Sequence, residues 1–216
     1  MQIRSIKRGA GKTVTASIDA LISIGKAFYE RNWVLGTSGN FSVLLHRDPL
    51  ELLVTESGVH KGMLAPRNFL TVGPKAEVIS GPGKPSAETL IHLAILGQVP
   101  ARCVLHTHSV WSTFLTDVHS GSDRLVIEGY EMLKGLRNVS THEHSECIPI
   151  LENSQNYPEL ALQVTDLLQS NPRIHAVLLR RHGVYTWGED ILEARRHIEI
   201  LEFLFEVVGR KHACAK

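Results

Sequence analysis

In the stretch Cys103-Val104-Leu105-His106-Thr107-His108-Ser109, an apolar run ends in two histidines that are separated by one residue. The apolar run predicts a buried β-strand. Side chains two residues apart on a strand lie on the same face, so both imidazoles would point toward one place. The stretch therefore predicts a strand whose end carries a pair of converging histidine ligands.

A second apolar run, far downstream, also leads into a histidine. Residues 174–179 are apolar apart from His175, and Arg180-Arg181-His182-Gly183 follow them. Gly183 would allow the backbone to turn close to whatever His182 holds. A single histidine is more simply explained as an exposed or hydrogen-bonded side chain. Three histidines at strand ends instead match the ligands of a catalytic divalent metal, usually zinc, which keeps one position open for substrate.

Helical and strand patterns alternate along the rest of the chain. Apolar residues recur at helical spacing after Val14 and again in residues 190–211, whereas residues 41–45 and 50–55 are typical of a β-hairpin. Because helices and hairpins are interleaved, we predict an α/β fold with a mostly antiparallel sheet covered by helices. We expect a flexible N-terminal leader over residues 1–13 and a single domain over residues 14–216.

Composition narrows the class of protein. The chain has 216 residues, of which 43% are hydrophobic, so it can bury a full core. Its formal net charge of +1 gives no bulk attraction to nucleic acid or to a membrane surface. The three cysteines are widely spaced and form no CxxC motif, which favours a reducing cytoplasm over a disulfide framework. We therefore expect a cytoplasmic protein without nucleic-acid or membrane partners.

Three segments carry small polar residues where the backbone could bind an anion. They contain Thr37, Ser38, Gly39 and Asn40 before a predicted strand, Ser57 and Gly58 after one, and Ser86 at a helix start. Hydroxyls, loop N–H groups and helix N-termini suit phosphate. Each segment alone is equally well explained as an ordinary loop or helix cap. Together with a metal site, they suggest a phosphorylated substrate.

Two glutamates are candidates for proton transfer. Glu88 falls in the first turn of the helix after Ser86, where a carboxylate either stabilises the helix dipole or lies beside the metal. Glu131 precedes Met132 and Leu133, and it is either an acid/base with a tuned pKa or a surface carboxylate. The residues alone leave both pairs of alternatives open.

The order of these motifs resembles the class II aldolase/adducin family. The resemblance rests on Thr37-Ser38-Gly39-Asn40, Ser57-Gly58, Pro85-Ser86-Ala87-Glu88, His106-Thr107-His108-Ser109 and His182-Gly183, in that order. It covers nearly the whole chain, from the helix after Val14 to the last helix. It implies a three-layer α/β/α sandwich with a mostly antiparallel central sheet, and a homotetramer with active sites near the subunit interfaces.

The resemblance also implies roles for individual residues. One zinc ion per subunit would be held by His106, His108 and His182. The phosphate of a small-molecule substrate would lie against Thr37, Ser38, Gly39, Asn40, Ser57, Gly58 and Ser86. Glu88 falls where the aldolases carry a metal-linked catalytic glutamate, and Glu131 matches the acid/base of the dehydratase branch.

Three kinds of activity are compatible with this family. The segments around Ser57-Gly58, Glu131 and His182-Gly183 are most similar to the dehydratase branch, which removes water from methylthioribulose 1-phosphate. The alternative is an aldolase or 4-epimerase for another ketose phosphate. In those relatives a tyrosine near the C-terminus assists, and this chain has none after Tyr185. A non-enzymatic module of the adducin type need not keep the metal ligands, whereas all three histidines are present here.

Overall fold

The computed structural model of the protein describes residues 3–214, and the side chains of residues 13–214. It contains nine strands: β1 (Asn40–Arg47), β2 (Leu50–Thr55), β3 (Phe69–Val72), β4 (Val78–Ser80), β5 (Cys103–Thr107), β6 (Arg124–Glu128), β7 (Ser145–Leu151), β8 (Ala176–Leu179) and β9 (Gly183–Gly188). They form one sheet in the order β4-β3-β2-β1-β5-β9-β8-β7-β6. Only β7 and β8 are parallel, and the other neighbours are antiparallel. The predicted mostly antiparallel sheet is confirmed.

Helices cover both faces of this sheet. They are α1 (Ile3–Glu30), α2 (Thr89–Gln98), α3 (Val110–Val118), α4 (Tyr157–Ser170) and α5 (Ile191–Cys214), with short 3-10 helices at Lys61–Met63, Pro66–Asn68 and Glu131–Gly135. One core joins α1, α3 and α5 to a face of the sheet, and a second joins α2 and α4 to the opposite face. The side chains of β5 alternate between the two cores, as a strand between two layers requires. The three-layer α/β/α sandwich is therefore confirmed.

The first helix includes most of the N-terminal segment. Helix α1 begins at Ile3, so residues 3–13, where we expected a leader, continue the helix that the pattern predicts after Val14. No proline interrupts this segment, and helical hydrogen bonding can therefore extend through it. The division into a flexible leader and one domain stays a prediction. Across the described helices, none combines the length and apolar character that crossing a bilayer demands.

Strand β5 lies at the centre of the sheet and positions the candidate site. All five of its residues are buried, which explains why its sequence is apolar up to the first histidine. β5 pairs with β1 and with β9, and this register places His106 opposite Asn40 on one side and opposite Tyr185 on the other. Residues that are directly opposite in neighbouring strands share a face. The sheet thus brings three polar side chains that are distant in sequence to one place.

Candidate active site

Four of the predicted site residues come together at the end of β5. Glu88, His106, His108 and His182 each offer one donor atom, and these atoms all lie within 4.8 Å of one another. Nε2 of His108 is 2.7 Å from Nε2 of His106 and 3.0 Å from Nε2 of His182. Oε1 of Glu88 is 3.4 Å from Nε2 of His106 and 3.0 Å from Nε2 of His182. This is the one group of its kind in the described part of the chain.

The backbone around the histidines explains how they converge. His108 lies just beyond β5, where its N–H donates to the Trp33 carbonyl at 2.8 Å. His182 lies in the turn between β8 and β9, after Arg181, whose φ of 55° is unusual for a residue with a side chain. A Cβ at Gly183 would collide with the carbonyl of Thr107. Only glycine therefore permits β9 to approach β5 closely enough for His182 to meet the other two.

Hydrogen bonds to the rear nitrogens orient two of the imidazoles. Nδ1 of His106 lies 3.0 Å from the Val184 carbonyl, and Nδ1 of His182 lies 3.2 Å from Oδ1 of Asn153. A carbonyl oxygen can only accept, and the buried carbonyl of Val184 therefore fixes the N–H on Nδ1 of His106. The same arrangement suits His182 with the amide oxygen of Asn153. In both rings Nε2 keeps its lone pair, as a metal ligand requires.

The environment keeps His106 and His108 neutral and Glu88 charged. Burial lowers the pKa of His106, and it lowers the pKa of His108 to about 2, with the neighbouring histidines adding to the shift. Burial alone would raise the pKa of Glu88, but the adjacent imidazoles of His106 and His182 lower it when a proton or a cation lies between Nε2 and the carboxylate. Neutral imidazoles and an ionised carboxylate are the protonation states that bind a metal.

A buried network holds the carboxylate of Glu88. Asn40 donates to Oε2 at 2.6 Å, Ser86 donates to Oε2 at 3.1 Å, and the Tyr185 hydroxyl donates to Oε1 at 3.1 Å. The Tyr185 ring also stacks on His106, with centroids 3.8 Å apart and planes 8° apart. Glu88 thus has fixed partners for both oxygens, and Tyr185 contacts both the carboxylate and a histidine of the cluster.

A chain of hydrogen bonds extends this network behind Asn40. Oδ1 of Asn40 is 2.5 Å from Nε2 of His92, and Nδ1 of His92 is 2.7 Å from the Ser42 hydroxyl. Burial lowers the pKa of His92 to about 3, so its ring is neutral and has one donor and one acceptor nitrogen. Nε2 must donate to the amide oxygen, and Nδ1 must then accept from Ser42. This chain sets the orientation in which the Asn40 amide donates to Glu88.

The chemistry of these donors fits a divalent metal. Three neutral imidazole nitrogens and one carboxylate oxygen point inward, and lone pairs 2.7 Å apart repel unless a proton or a cation lies between them. Three histidines with one carboxylate are a ligand set that zinc and other first-row metals accept. The cluster could therefore bind a metal ion, as in class II aldolases.

The segments predicted to bind phosphate also lie close together. The Lys61 ammonium donates to the Thr37 carbonyl at 3.0 Å and to the Val59 carbonyl at 2.8 Å, which links the first two segments. The Ser57 N–H donates to the Lys84 carbonyl at 2.9 Å, which links the second segment to the third. The structure thus brings Thr37, Ser38, Gly39, Asn40, Ser57, Gly58 and Ser86 into neighbouring loops.

Two members of this set have side chains that are already engaged. The amide of Asn40 is bound between Glu88 and His92, and the hydroxyl of Ser86 donates to Glu88. The segments of both residues lie beside the metal-ligand cluster as well as beside the other loops.

The lysine that links the first two loops is buried. Lys61 is 1% exposed, and burial lowers its pKa to about 8, although the charge of Glu88 opposes this shift.

Glu131 lies apart from this cluster. It begins the 3-10 helix Glu131–Gly135, and its side chain is 73% exposed. Its carboxylate accepts a hydrogen bond from Lys134 at 2.9 Å and lies 3.9 Å from Nδ1 of His142. The Lys134 hydrogen bond lowers the pKa of Glu131, which is therefore ionised at neutral pH. Within one chain the structure does not bring Glu131 to Glu88 or to the three histidines.

Sequence reasoning missed three residues that surround the cluster, and it left open whether a fourth, Lys61, is solvated or adds charge near the phosphate. Tyr185, His92 and Lys61 are described above. Glu202 on α5 accepts from Thr107 at 2.8 Å, and Thr107 lies between His106 and His108 in the sequence. Burial raises the pKa of Glu202 to about 7. The strand pairing that sets Tyr185 opposite His106 could have identified Tyr185, had the order of strands been known. The other three depend on helix packing, for which the sequence carries no local signal.

Comparisons with known proteins agree with this arrangement. The family described as Class II Aldolase and Adducin N-terminal domain matches residues 19–208. The chain is 40% identical over 193 residues to methylthioribulose-1-phosphate dehydratase of Methylococcus capsulatus, covering 89% of this chain and 92% of the relative. It is 42% identical over 187 residues to the protein of that name in Pseudomonas syringae pv. tomato, covering 86% and 90%.

Solved structures share the fold. YgbL of Escherichia coli, described as a putative aldolase/epimerase/decarboxylase, superposes with a TM-score of 0.73 at 28% identity, covering 88% of this chain and 86% of YgbL. L-Fuculose-1-phosphate aldolase of Thermus thermophilus superposes with a TM-score of 0.74 at 24% identity, covering 93% and 97%. The second likeness establishes the fold alone.

Proposed function

The chain belongs to the class II aldolase and adducin family, and from this premise we propose that it dehydrates 5-methylthioribulose 1-phosphate, a reaction of methionine salvage. The product is the 2,3-diketo-5-methylthiopentyl phosphate. One observation carries the proposal. Relatives about 40% identical over nearly their whole length have this activity in their names, and the chain has the histidines and glutamate of a metal site.

We propose zinc as the metal, one ion per subunit, with His106, His108 and His182 as its ligands. Bound there, zinc would supply a Lewis acid that makes the C3 hydrogen next to the substrate carbonyl more acidic. Glu88 contributes a negative charge beside these ligands. Because Glu88 has a lowered pKa and its carboxylate already accepts three hydrogen bonds, it is a weak base, and we assign it to the site's electrostatics.

We assign both proton transfers to Glu131, which starts ionised. Its carboxylate takes the proton from C3, and the electrons of that C–H bond move toward the C2 carbonyl. The protonated carboxyl then gives the same proton to the departing C4 hydroxyl, which leaves as water as the C4–O bond breaks. The resulting enol rearranges to the diketone. Glu131 is thereby restored, and the overall change is the loss of one water molecule.

This assignment requires an oligomer. Glu131 is exposed and does not touch the metal-ligand cluster of its own chain. We therefore propose a homotetramer in which Glu131 reaches the cluster of a neighbouring subunit. Water would then be excluded from the carboxylate, which raises its pKa toward the range of a useful acid/base.

Mixed oligomers test this arrangement directly. Subunits with His106→Ala lack the metal site, and subunits with Glu131→Gln lack the proton-transfer group. Each variant alone should be inactive. Dissociating and reassembling the two together should restore part of the activity, because some sites then combine an intact cluster with an intact Glu131. Activity that stays at zero in verified mixed oligomers would show that both residues must come from one chain.

We propose that the linked loops read the substrate phosphate. Thr37, Ser38, Gly39, Ser57 and Gly58 would supply N–H and hydroxyl donors, and Asn40 and Ser86 would act mainly through their backbone and through Glu88. Those groups carry no full charge, so the buried ammonium of Lys61, which contacts the first two loops, supplies a positive charge. Binding energy at the phosphate also positions C3 and C4, and it therefore contributes to turnover.

A substrate assay decides between this activity and its alternative. Zinc-loaded enzyme incubated with methylthioribulose 1-phosphate should give the diketone by NMR, with one deuteron incorporated at C4 in D2O. Release of dihydroxyacetone phosphate from a ketose 1-phosphate would favour an aldolase instead. The hydroxyl of Tyr185 is buried and bound to Glu88, so it is not available to assist at C4 as an aldolase would need. No turnover of either substrate would contradict both activities.

A further inference from the structure

A second cluster of ionisable side chains lies outside the candidate active site, at the wall of a cavity of about 750 Å³. Its centre is Glu146 on β7, whose side chain is 4% exposed. One oxygen of Glu146 lies 2.7 Å from Nε2 of His144, and the other lies 3.0 Å from Nδ1 of His175. A third histidine of the wall, His197 on α5, packs against the ring of His175 at a centroid distance of 5.4 Å.

The partners of His175 determine its charge. Its Nε2 lies 2.8 Å from the carbonyl of Arg137, and its Nδ1 faces the carboxylate of Glu146. A carbonyl oxygen and a carboxylate both accept, so each ring nitrogen must carry a hydrogen. His175 is therefore an imidazolium paired with an ionised Glu146. Burial opposes the charge, but the hydrogen bond that His175 donates to Glu146 outweighs burial and raises the pKa of His175.

The partners of His197 require the opposite state. Its Nδ1 donates to the Trp187 carbonyl at 2.8 Å, and its Nε2 accepts from the N–H of Arg137 at 3.2 Å. Only a neutral ring has one donor and one acceptor. Burial lowers the pKa of His197 to about 4, which agrees with a neutral ring at pH 7. Two histidines thus hold both backbone polar groups of Arg137.

Arg137 lies between the 3-10 helix that begins at Glu131 and the loop that leads to β7. It follows the 3-10 helix Glu131–Gly135 by two residues, and Arg196 holds the end of that helix through the Gly135 carbonyl at 2.9 Å. The chain then runs from Arg137 to His142, whose Nδ1 lies 3.9 Å from Oε2 of Glu131. We call the hydrogen bonds of His175 and His197 to the backbone of Arg137 the clamp. The clamp fixes the end of the 3-10 helix and the start of the loop that faces Glu131.

We propose that His175, His197 and Glu146 are positioning residues, which hold Arg137 so that Glu131 keeps the orientation its proton transfers need. This inference rests on the proposed acid/base role of Glu131. Glu146 acts indirectly, because it fixes the orientation of the His175 ring through the hydrogen bond that it accepts from Nδ1. None of the three touches the metal-ligand cluster, and their loss should leave metal binding intact.

Matched substitutions at His175 separate its two hydrogen bonds. In His175→Asn the amide nitrogen takes the place of Nδ1, so the bond to Glu146 is kept and the bond to Arg137 is lost. In His175→Gln the amide nitrogen takes the place of Nε2, so the bond to Arg137 is kept. A misplacement of about 1 Å can cost on the order of 10²-fold in rate. We expect kcat to fall about 10- to 100-fold in His175→Asn, with zinc content and KM unchanged.

The Gln variant and a surface control should keep near-wild-type kcat. Glu189→Gln is the control, because it removes the ion pair of the Arg137 side chain and leaves the backbone clamp in place. Hydrogen exchange gives a second readout, and amides of residues 131–142 should exchange faster in His175→Asn than in His175→Gln. Equal kcat and equal exchange in the two variants would overturn the proposal. Should His175→Asn not fold, the corresponding His197→Asn and His197→Gln pair applies the same comparison.

A double substitution distinguishes this inference from the proposed function. If the clamp acts through Glu131, His175→Asn should cause no further loss of kcat in a Glu131→Gln background. Losses that multiply would show that His175 acts elsewhere and would refute the clamp. Wild-type turnover in Glu131→Gln alone would refute the acid/base role, and the clamp that depends on it. An impaired Glu131→Gln with a fully active His175→Asn would refute the clamp alone.

Discussion

The metal-ligand cluster (Glu88, His106, His108 and His182) and the 3-10 helix that carries Glu131 differ in how much of their surroundings a single chain supplies. The side chain of His106 is fully buried, and the Val184 carbonyl and the Asn153 amide give His106 and His182 fixed partners within the same chain. The side chain of Glu131 is 73% exposed and is paired with a lysine of its own helix. The comparison teaches that the single chain prepares a metal site completely, whereas the proton-transfer group we propose depends on a neighbouring subunit.

The largest effect is expected from removing a metal ligand. His106→Ala should lower the metal content from one ion per chain toward zero and abolish turnover. The loss should exceed the 10- to 100-fold that substitutions behind a metal ligand typically cost. Elemental analysis and circular dichroism measure metal and fold, and His46→Ala, at an exposed histidine on β1, is the control. A His106→Ala protein that still binds one metal ion per chain would contradict the conclusion that the single chain prepares a metal site with His106 as a ligand.

The second-largest effect is expected at Glu131, the exposed member of the comparison. Glu131→Gln should keep the metal and lose about 10²- to 10⁴-fold in kcat, because the amide cannot exchange a proton. Glu128→Gln, a nearby exposed carboxylate at the end of β6, should be without effect. Steady-state kinetics with metal analysis on the same samples measure both quantities. Near-normal turnover in Glu131→Gln would reduce this residue to a surface carboxylate.

A third effect should come from the lysine that links the phosphate loops. Lys61→Met keeps the length of the side chain and removes its charge and two hydrogen bonds. Hydrogen bonds to charged groups are worth about 1.5–3 kcal/mol, so kcat/KM should fall roughly 10- to 100-fold for the phosphorylated substrate. The dephosphorylated sugar should be a poor substrate for both proteins. An equal loss for both sugars would mean that Lys61 does not serve the phosphate.

The same lysine predicts a pH dependence. Burial lowers the pKa of Lys61 to about 8, so kcat/KM for the phosphorylated sugar should decline above pH 8 in the wild type and not in Lys61→Met. Stability should change in the opposite direction. An unfolded lysine keeps its proton up to about pH 10.5, and the wild type should therefore gain unfolding free energy between pH 8 and 10.5. Denaturant titrations at several pH values measure this gain.

The smallest effect is expected at Tyr185. Tyr185→Phe removes one donor to Glu88 and keeps the ring that stacks on His106. Groups behind a metal site typically contribute 10- to 100-fold to affinity, and we expect about 10-fold because Tyr185 contacts Glu88 through only one oxygen. Competition with a chelator measures the change. A loss as large as that of His106→Ala would show that Tyr185 organises the whole cluster.

The sequence predicted those parts of the fold and site that depend on local pattern. The apolar run before His106 predicted a buried strand, the i and i+2 spacing predicted converging imidazoles, and Gly183 predicted a close backbone approach. Alternating helices and hairpins predicted the mostly antiparallel sheet. Each of these rests on neighbouring residues, whose geometry a strand or a turn fixes by itself.

What the sequence did not predict depends on contacts between distant elements. Tyr185 and His92 enter the site through strand order and helix packing, and nothing in their neighbours marks them. The sequence left open whether Lys61 is solvated or adds charge near the phosphate, and the packing of its 3-10 helix against α1 buries it. In the tetramer that we propose, the environment of Glu131 depends on a second chain, and neither the sequence nor a single subunit contains that information.

The close approach of the three histidine nitrogens makes protons competitors of the metal. Lone pairs 2.7 to 3.0 Å apart need a positive charge between them, and either a proton or a cation can supply it. Acid must therefore compete with the ion for the same nitrogens. Because burial lowers the pKa of His106 and lowers that of His108 to about 2, both rings are already neutral at pH 7, and this competition should take effect only in strong acid. The metal occupancy of the enzyme should then change little near neutrality and fall steeply in strong acid.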